Sequence, residues 1–138
     1  MTHVPEKIDC TMNGVIGVIR RDDRYLIIQR SAHVRVPLAW CFPGGEIETG
    51  ESLHVALARE MREELNIDVS PGDLLMTLHR PERRLVLYCV AATLNGHEPR
   101  PNPAEVAQCH WLTPSEIEQL DALLPGTMDI IEKVESLQ

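Results

Sequence analysis

The sequence predicts a layered α/β domain, and three observations carry that prediction. Short apolar runs recur along the chain, a helix-forming stretch interrupts them between Leu53 and Leu65, and two further helical segments follow the last run. Strands and helices intermixed in this way imply layers around one core. Gly14 to Ile19, Tyr25 to Ile28, Leu74 to Leu78 and Leu85 to Thr93 read as strands, the second and fourth too apolar to keep one face in water. Ser52 is the N-cap residue type before Leu53, and Asn66 tolerates the left-handed conformation that ends a helix. Trp111-Leu112 ends another strand. Thr113-Pro114-Ser115-Glu116 is a capping box with proline at the first helical position, opening a short helix to about Leu120. The last helix runs from about Gly126 to Leu137 and turns Ile130, Ile131 and Val134 inward.

At 138 residues the chain is expected to be one domain, 1–138, with its core from about residue 13 onward. The first dozen residues lack a charged start followed by an apolar stretch, and no run approaches membrane-spanning length, so neither leader nor membrane is expected. Cys10, Cys41, Cys89 and Cys109 lie far apart without CxxC spacing and read as thiols of a reducing cytoplasm. A formal charge of −8 argues against a nucleic-acid backbone as the main partner, though not against one nucleotide. Glu98-Pro99-Arg100-Pro101-Asn102-Pro103 reads as a loop, too short for a domain linker.

Between Gly45 and Ile67 the chain reads GEIETGESLHVALAREMREELNI. At about 100° per residue, Glu60, Glu63 and Glu64 fall within a roughly 100° arc of one helix, so three carboxylates share a patch. Leu53, Ala56 and Leu57 lie earlier on nearly that azimuth, which makes the face partly buried. Like charges in a partly desolvated place must take up protons or find a counter-cation. Mg2+ or Mn2+, which prefer hard oxygen ligands, meet that demand. The competing reading is a solvated acidic helix face. Phe42-Pro43-Gly44-Gly45 favours the metal, because it puts two glycines where backbone turns tightly or approaches a ligand. Glu51 and Arg59 can meet only if the loop before the helix folds back, which makes Glu51 a brace acting through Arg59.

These residues resemble the signature of the Nudix hydrolases. That signature is Gly, five residues, Glu, seven residues, Arg-Glu, an aliphatic, any residue, Glu-Glu, any residue, Gly and an aliphatic; here it reads Gly45, Glu51, Arg59-Glu60, Met61, Glu63-Glu64, Asn66 and Ile67. Asn66 departs from the family's glycine, at a place that looks like a helix C-cap and carries no reacting group. Asn13 to Arg30, with a turn at Arg21-Asp22-Asp23-Arg24, is similar to the opening strands of a MutT-type member. Ala39 to Gly45 is similar to the entry to the box, and Cys109 to Leu112 resembles the strand that closes the core. The resemblance implies an α/β/α sandwich around a mixed β-sheet, cleavage of a nucleotide pyrophosphate link, and Mg2+ as cofactor, with Mn2+ as the substitute.

Residue by residue, the resemblance implies Glu60, Glu63 and Glu64 as metal ligands, with the Gly44 carbonyl as a backbone ligand. Glu60 would combine ligation with activation of water. Glu105, in the loop before the last strand, would be ligand or base, and its alternative is an exposed loop glutamate. Arg30, at the end of the second strand, matches a substrate-contacting arginine, and Arg83 in Pro81-Glu82-Arg83-Arg84 matches another. The guanidinium fork suits phosphate oxygens, although these, like Arg35 and Arg80, could be surface charges. Thr127 falls near the asparagine with which the oxidised-guanine enzyme reads its base. One hydroxyl cannot offer that paired donor and acceptor, so this specificity is not carried over. Trp40, Tyr88 and Trp111 read as core or rim before base stacks, and His33, His54, His79, His97 and His110 have no ligand spacing.

The implied activity is Mg-dependent hydrolysis of a nucleoside triphosphate to nucleoside monophosphate and pyrophosphate, with nucleotide-pool sanitising as the nearest family role. One alternative is hydrolysis of a nucleoside diphosphate linked to another group, as in a sugar nucleotide or dinucleoside polyphosphate. Another is a non-catalytic nucleotide-binding module, although such versions commonly lose box glutamates and this chain keeps them all. The short chain disfavours an ADP-ribose hydrolase of the usual dimeric kind. The expected partner is a small-molecule nucleotide, bound by a monomer or homodimer.

Overall fold

The computed structural model describes residues 12–138, so Cys10 and the segment on which the leader reading rests lie outside the described residues. Its strands are β1 Met12–Arg21, β2 Arg24–Arg30, β3 Trp40–Cys41, β4 Gly44–Glu46, β5 Asp68–Arg80, β6 Leu85–Asn95 and β7 Val106–Leu112. The helices are α1 Leu53–Leu65, α2 Pro114–Glu118 and α3 Thr127–Ser136, and a 3-10 turn spans Pro81–Arg83. The strands form one sheet in the order β3-β2-β1-β6-β5, with β4 paired to β1 and β7 to β2. β1 and β6 run parallel, from Met12 opposite Leu85 to Ile19 opposite Ala92, while the other pairs are antiparallel. The sheet is therefore mixed.

Alternation along the strands builds two cores. Val15 and Ile19 of β1, with Leu26 and Ile28 of β2, pack beneath Ala56, Leu57, Met61 and Leu65 of α1. Ile16, Val18, Tyr25 and Ile27 face the other way, towards Ile117 of α2 and Ile130, Ile131 and Val134 of α3. Helices cover both faces, which gives the expected α/β/α sandwich and explains why Tyr25 to Ile28 is apolar at every position. β6 differs: only Cys89 and Val90 are buried, and much of the rest of the strand is half-buried. Gly17 lets α1 come close, since a Cβ there would lie 3.1 Å from Leu57 Cδ1.

Several boundaries differ from the sequence-based expectation. β5 begins at Asp68, well before Leu74, because Pro71 and Gly72 sit inside it and mask it; the register with β6 shifts between Pro71 and Leu74 and again between Leu74 and Met76. Among the described residues β5 pairs only with β6, and such an edge tolerates a residue without an N–H. β3 and β4 are two and three residues long, too short to show a period. The caps stand where their residue types place them. Ser52 Oγ accepts from Val55 N at 3.2 Å, and Asn66 is left-handed at φ 55°, its N–H donating to the Arg62 carbonyl. Thr113 and Glu116 exchange both bonds of the capping box. Cys41, Cys89 and Cys109 are free thiols. Among the described residues no helix is long and apolar enough to cross a membrane.

Candidate active site

Three segments converge on one carboxylate cluster. β4 lies antiparallel to β1, with Gly44 opposite Ile16 and Gly45 opposite Val15, so the glycine pair is pressed between β1 and α1. A Cβ on Gly44 would run into the Val15 carbonyl oxygen, and one on Gly45 into the Glu60 carboxylate. Glu60 and Glu64, one turn apart on α1, point at this pair and are each 6% exposed. Gly44 N donates to Glu64 Oε1 at 3.0 Å. Glu105 arrives from the segment before β7, and one carboxylate oxygen from each of Glu60, Glu64 and Glu105 lies within 4.8 Å of the others.

Glu63 stands apart from the other two helix glutamates. Its side chain is 47% exposed and bonds to Arg59 Nη1 at 3.1 Å. The arc explains the separation: Glu63 and Glu64 lie about 100° apart on either side of Glu60, so only one of them can share the inward side with it. Arg59 is the hub of the outer side. Its Nε and Nη2 take both oxygens of Glu51 at 2.7 and 2.9 Å, Nη1 reaches Glu60 Oε2 at 2.9 Å, and Nη2 also donates to the Glu46 carbonyl at 2.9 Å. The loop before α1 folds back to make this contact. Glu48 N donates to Glu51 Oε1 at 2.8 Å and completes the fold-back.

Burial sets the electrostatics. Desolvation, followed by the charge of Glu60, pushes the Glu64 carboxyl up to about 8, against the opposing Gly44 N–H. Glu60 is raised as well, chiefly by burial, and Arg59 resists the shift. Glu51 moves the other way, down to about 2, through its bonds to Arg59 and to backbone. Two buried carboxylates and a third beside them form a hard-oxygen donor set short of positive charge. A divalent cation fits it.

The cluster opens into a cavity of about 510 Å3, bordered by Arg30, Arg83, Glu105 and Thr127 among the polar residues and by Leu78, Leu87 and Ile130 among the apolar ones. Arg30 is held by its own loop, its Nε donating to the Arg35 carbonyl at 2.6 Å, and it lines the cavity. Arg83 is exposed on the 3-10 turn. Thr127, buried at the start of α3, donates its hydroxyl to the Leu124 carbonyl at 2.9 Å. Trp40, Tyr88 and Trp111 do not border the cavity, where Phe42 is the only aromatic lining among the described residues. Arg80 lies 3.9 Å from Asp129. Sequence reasoning missed the amides of Asn66 and Asn102, which donate to the Arg100 carbonyl at 2.7 Å and the Glu63 carbonyl at 3.1 Å; an amide at a helix end gives no signal until its partner is in place.

A family model described as NUDIX domain matches residues 11–134, and the chain belongs to this family of hydrolases acting on phosphoric anhydrides. Enzymes of this family generally use a divalent metal. The chain is 32% identical over 121 residues to the CTP pyrophosphohydrolase of Escherichia coli strain K12, covering 80% of this chain and 89% of that protein. It is 31% identical over 117 residues to the NAD-capped RNA hydrolase NudC of Escherichia coli O1:K1 / APEC, covering 83% of this chain but 43% of the relative. A NUDIX hydrolase structure from Nitrosomonas europaea shares the fold at a TM-score of 0.79 and 23% identity, over 91% of this chain and 89% of that one.

Proposed function

We propose that the chain hydrolyses a nucleoside triphosphate to the nucleoside monophosphate and pyrophosphate, with Mg2+ as the working cation and Mn2+ able to replace it. The observation that carries this reading is the opening of the Glu60, Glu64 and Glu105 cluster into a cavity bordered by Arg30 and Arg83. Glu60, Glu64 and Glu105 would hold the cation, with the Gly44 carbonyl beside them and Glu63 at the outer rim. When bound, the cation neutralises charge on the phosphate oxygens and so lowers the barrier to attack. Glu60 takes the proton of the attacking water as the anhydride P–O bond breaks and pyrophosphate leaves. Arg59, braced by Glu51, keeps that carboxylate oriented. Arg30 and Arg83 offer guanidinium groups to the phosphates, and Thr127 borders the place of the base.

The relative named for CTP supports a triphosphate substrate, and nucleotide-pool sanitising is the role that would follow. The relative named for NAD-capped RNA supports a second reading, a nucleoside diphosphate joined to another group. The charge of −8 supports a small nucleotide over a nucleic-acid backbone. Free thiols at Cys41, Cys89 and Cys109 support a cytoplasmic setting, and the unit would act as a monomer or homodimer.

The experiment is a substrate panel with Mg2+, read by product identity. Monophosphate plus pyrophosphate from triphosphates is expected, and Glu60→Gln should lose at least about 100-fold in rate. Turnover confined to diphosphate-linked substrates would replace the first reading with the second. Equal silence of wild type and variant would end both.

A further inference from the structure

Glu105 reaches the cluster on residues 96–105, a segment with neither helix nor strand. Prolines alternate along its middle, at Pro99, Pro101 and Pro103, which stiffens the chain and removes alternate N–H groups there. The N–H groups between them both go to the end of α1. Arg100 N donates to the Leu65 carbonyl at 2.8 Å, and Asn102 N to the Glu64 carbonyl at 2.8 Å. Asn102 Nδ2 adds the Glu63 carbonyl at 3.1 Å. These are carbonyls that a helix C-terminus otherwise leaves without partners.

Asn66 closes the joint from the helix side. Its left-handed backbone ends α1, and its Nδ2 donates to the Arg100 carbonyl at 2.7 Å. Glycine would end the helix equally well but has no amide to give. From Asn102 the connection to the cluster is direct, because the Asn102 carbonyl accepts from Glu105 N at 2.9 Å and from Val106 N at 2.8 Å. Glu60 and Glu64 ride on the same helix whose end is tied to this strut, so the joint sets the distance between them and Glu105.

We propose that Asn66 is a positioning residue for Glu105, acting through the Pro99–Pro103 strut and Asn102. The inference rests on the reading that Glu105 shares the cation with Glu60 and Glu64. Its test is Mn2+ binding by calorimetry to the full chain as wild type, Asn66→Gly, Glu105→Gln and the double variant, with melting of each metal-free protein beside it. Asn66→Gly should weaken Mn2+ about tenfold, the scale of a lost partner behind a ligand. Its metal-free melting temperature should stay within about 3 °C of wild type, since glycine suits the cap. In the Glu105→Gln background the same change should add less than about twofold, because the group it positions is already gone.

Wild-type Mn2+ affinity for Asn66→Gly, with Glu105→Gln weakened, overturns the proposal and leaves the site reading standing. An equal loss in both backgrounds also overturns it, since Asn66 would then act elsewhere. Unchanged affinity for Glu105→Gln removes Glu105 from the cation site and takes the proposal with it.

Discussion

At Gly45 the space for a side chain is already filled by the Glu60 carboxylate, which a Cβ would meet at contact distances no real structure holds. Gly45→Ala should therefore displace the Glu60 carboxylate, the proposed base, more than it disturbs the core. We expect a stability loss of about 1–3 kcal/mol, the usual scale of overpacking, together with a larger fall in metal-dependent rate per folded molecule. Thermal melting beside a rate assay checks this, and a variant that is fully active once folded would count against it. Arg59 works at the same scale. Its two bonds to Glu51 are fork-to-carboxylate contacts that an ammonium cannot reproduce, so Arg59→Lys should keep the charge and lose the geometry. Its kcat is expected to fall while the KM for nucleotide holds, because Arg59 does not border the cavity. A rise in KM at constant kcat would contradict a brace.

At the scale of elements, α1 was readable from end to end because its signals are local: a serine cap, an apolar stripe and an asparagine stop. Ser52→Ala should cost about 1 kcal/mol, the worth of one N-cap bond, and urea unfolding measures it directly. Activity at saturating metal should hold, since among the described residues Ser52 Oγ bonds only to Val55 N. The helix pattern also showed which side of α1 is apolar, but it could not separate Glu63 from Glu64. That separation depends on β4 and the 96–105 segment closing over one side of the helix. β5 was half-hidden for a related reason: Pro71 and Gly72 contradict strand propensity locally, and only pairing with β6 carries the strand through them. β3 and β4 have no local signal, since their length is set by the strands beside them.

Across the whole molecule the buried carboxylates couple folding to pH. Glu64 moves from its ordinary 4.5 to about 8 on folding without metal, so the native state holds its proton more tightly than the unfolded chain. Stability from this group is fully present below pH 4.5 and is lost as pH rises towards 8. Glu51, held down to about 2, works in a separate window, where stability is lost as pH falls from 4.5 towards 2. In chelator the urea midpoint should therefore decline from mildly acidic pH to pH 8, and Glu64→Gln should flatten that decline. Added divalent metal should reverse the slope, because ligation requires deprotonated carboxylates and binding releases their protons. An identical slope for Glu64→Gln would remove Glu64 as its source. By itself the sequence determined the family, the layered fold, the helix and the list of carboxylates, because those follow from local spacing and residue chemistry. Tertiary structure alone decided which glutamates share a buried cluster, that Glu105 joins them and that Asn66 ties its loop to the helix. Burial and distance are set by segments far apart in sequence, and no local pattern encodes where such segments meet.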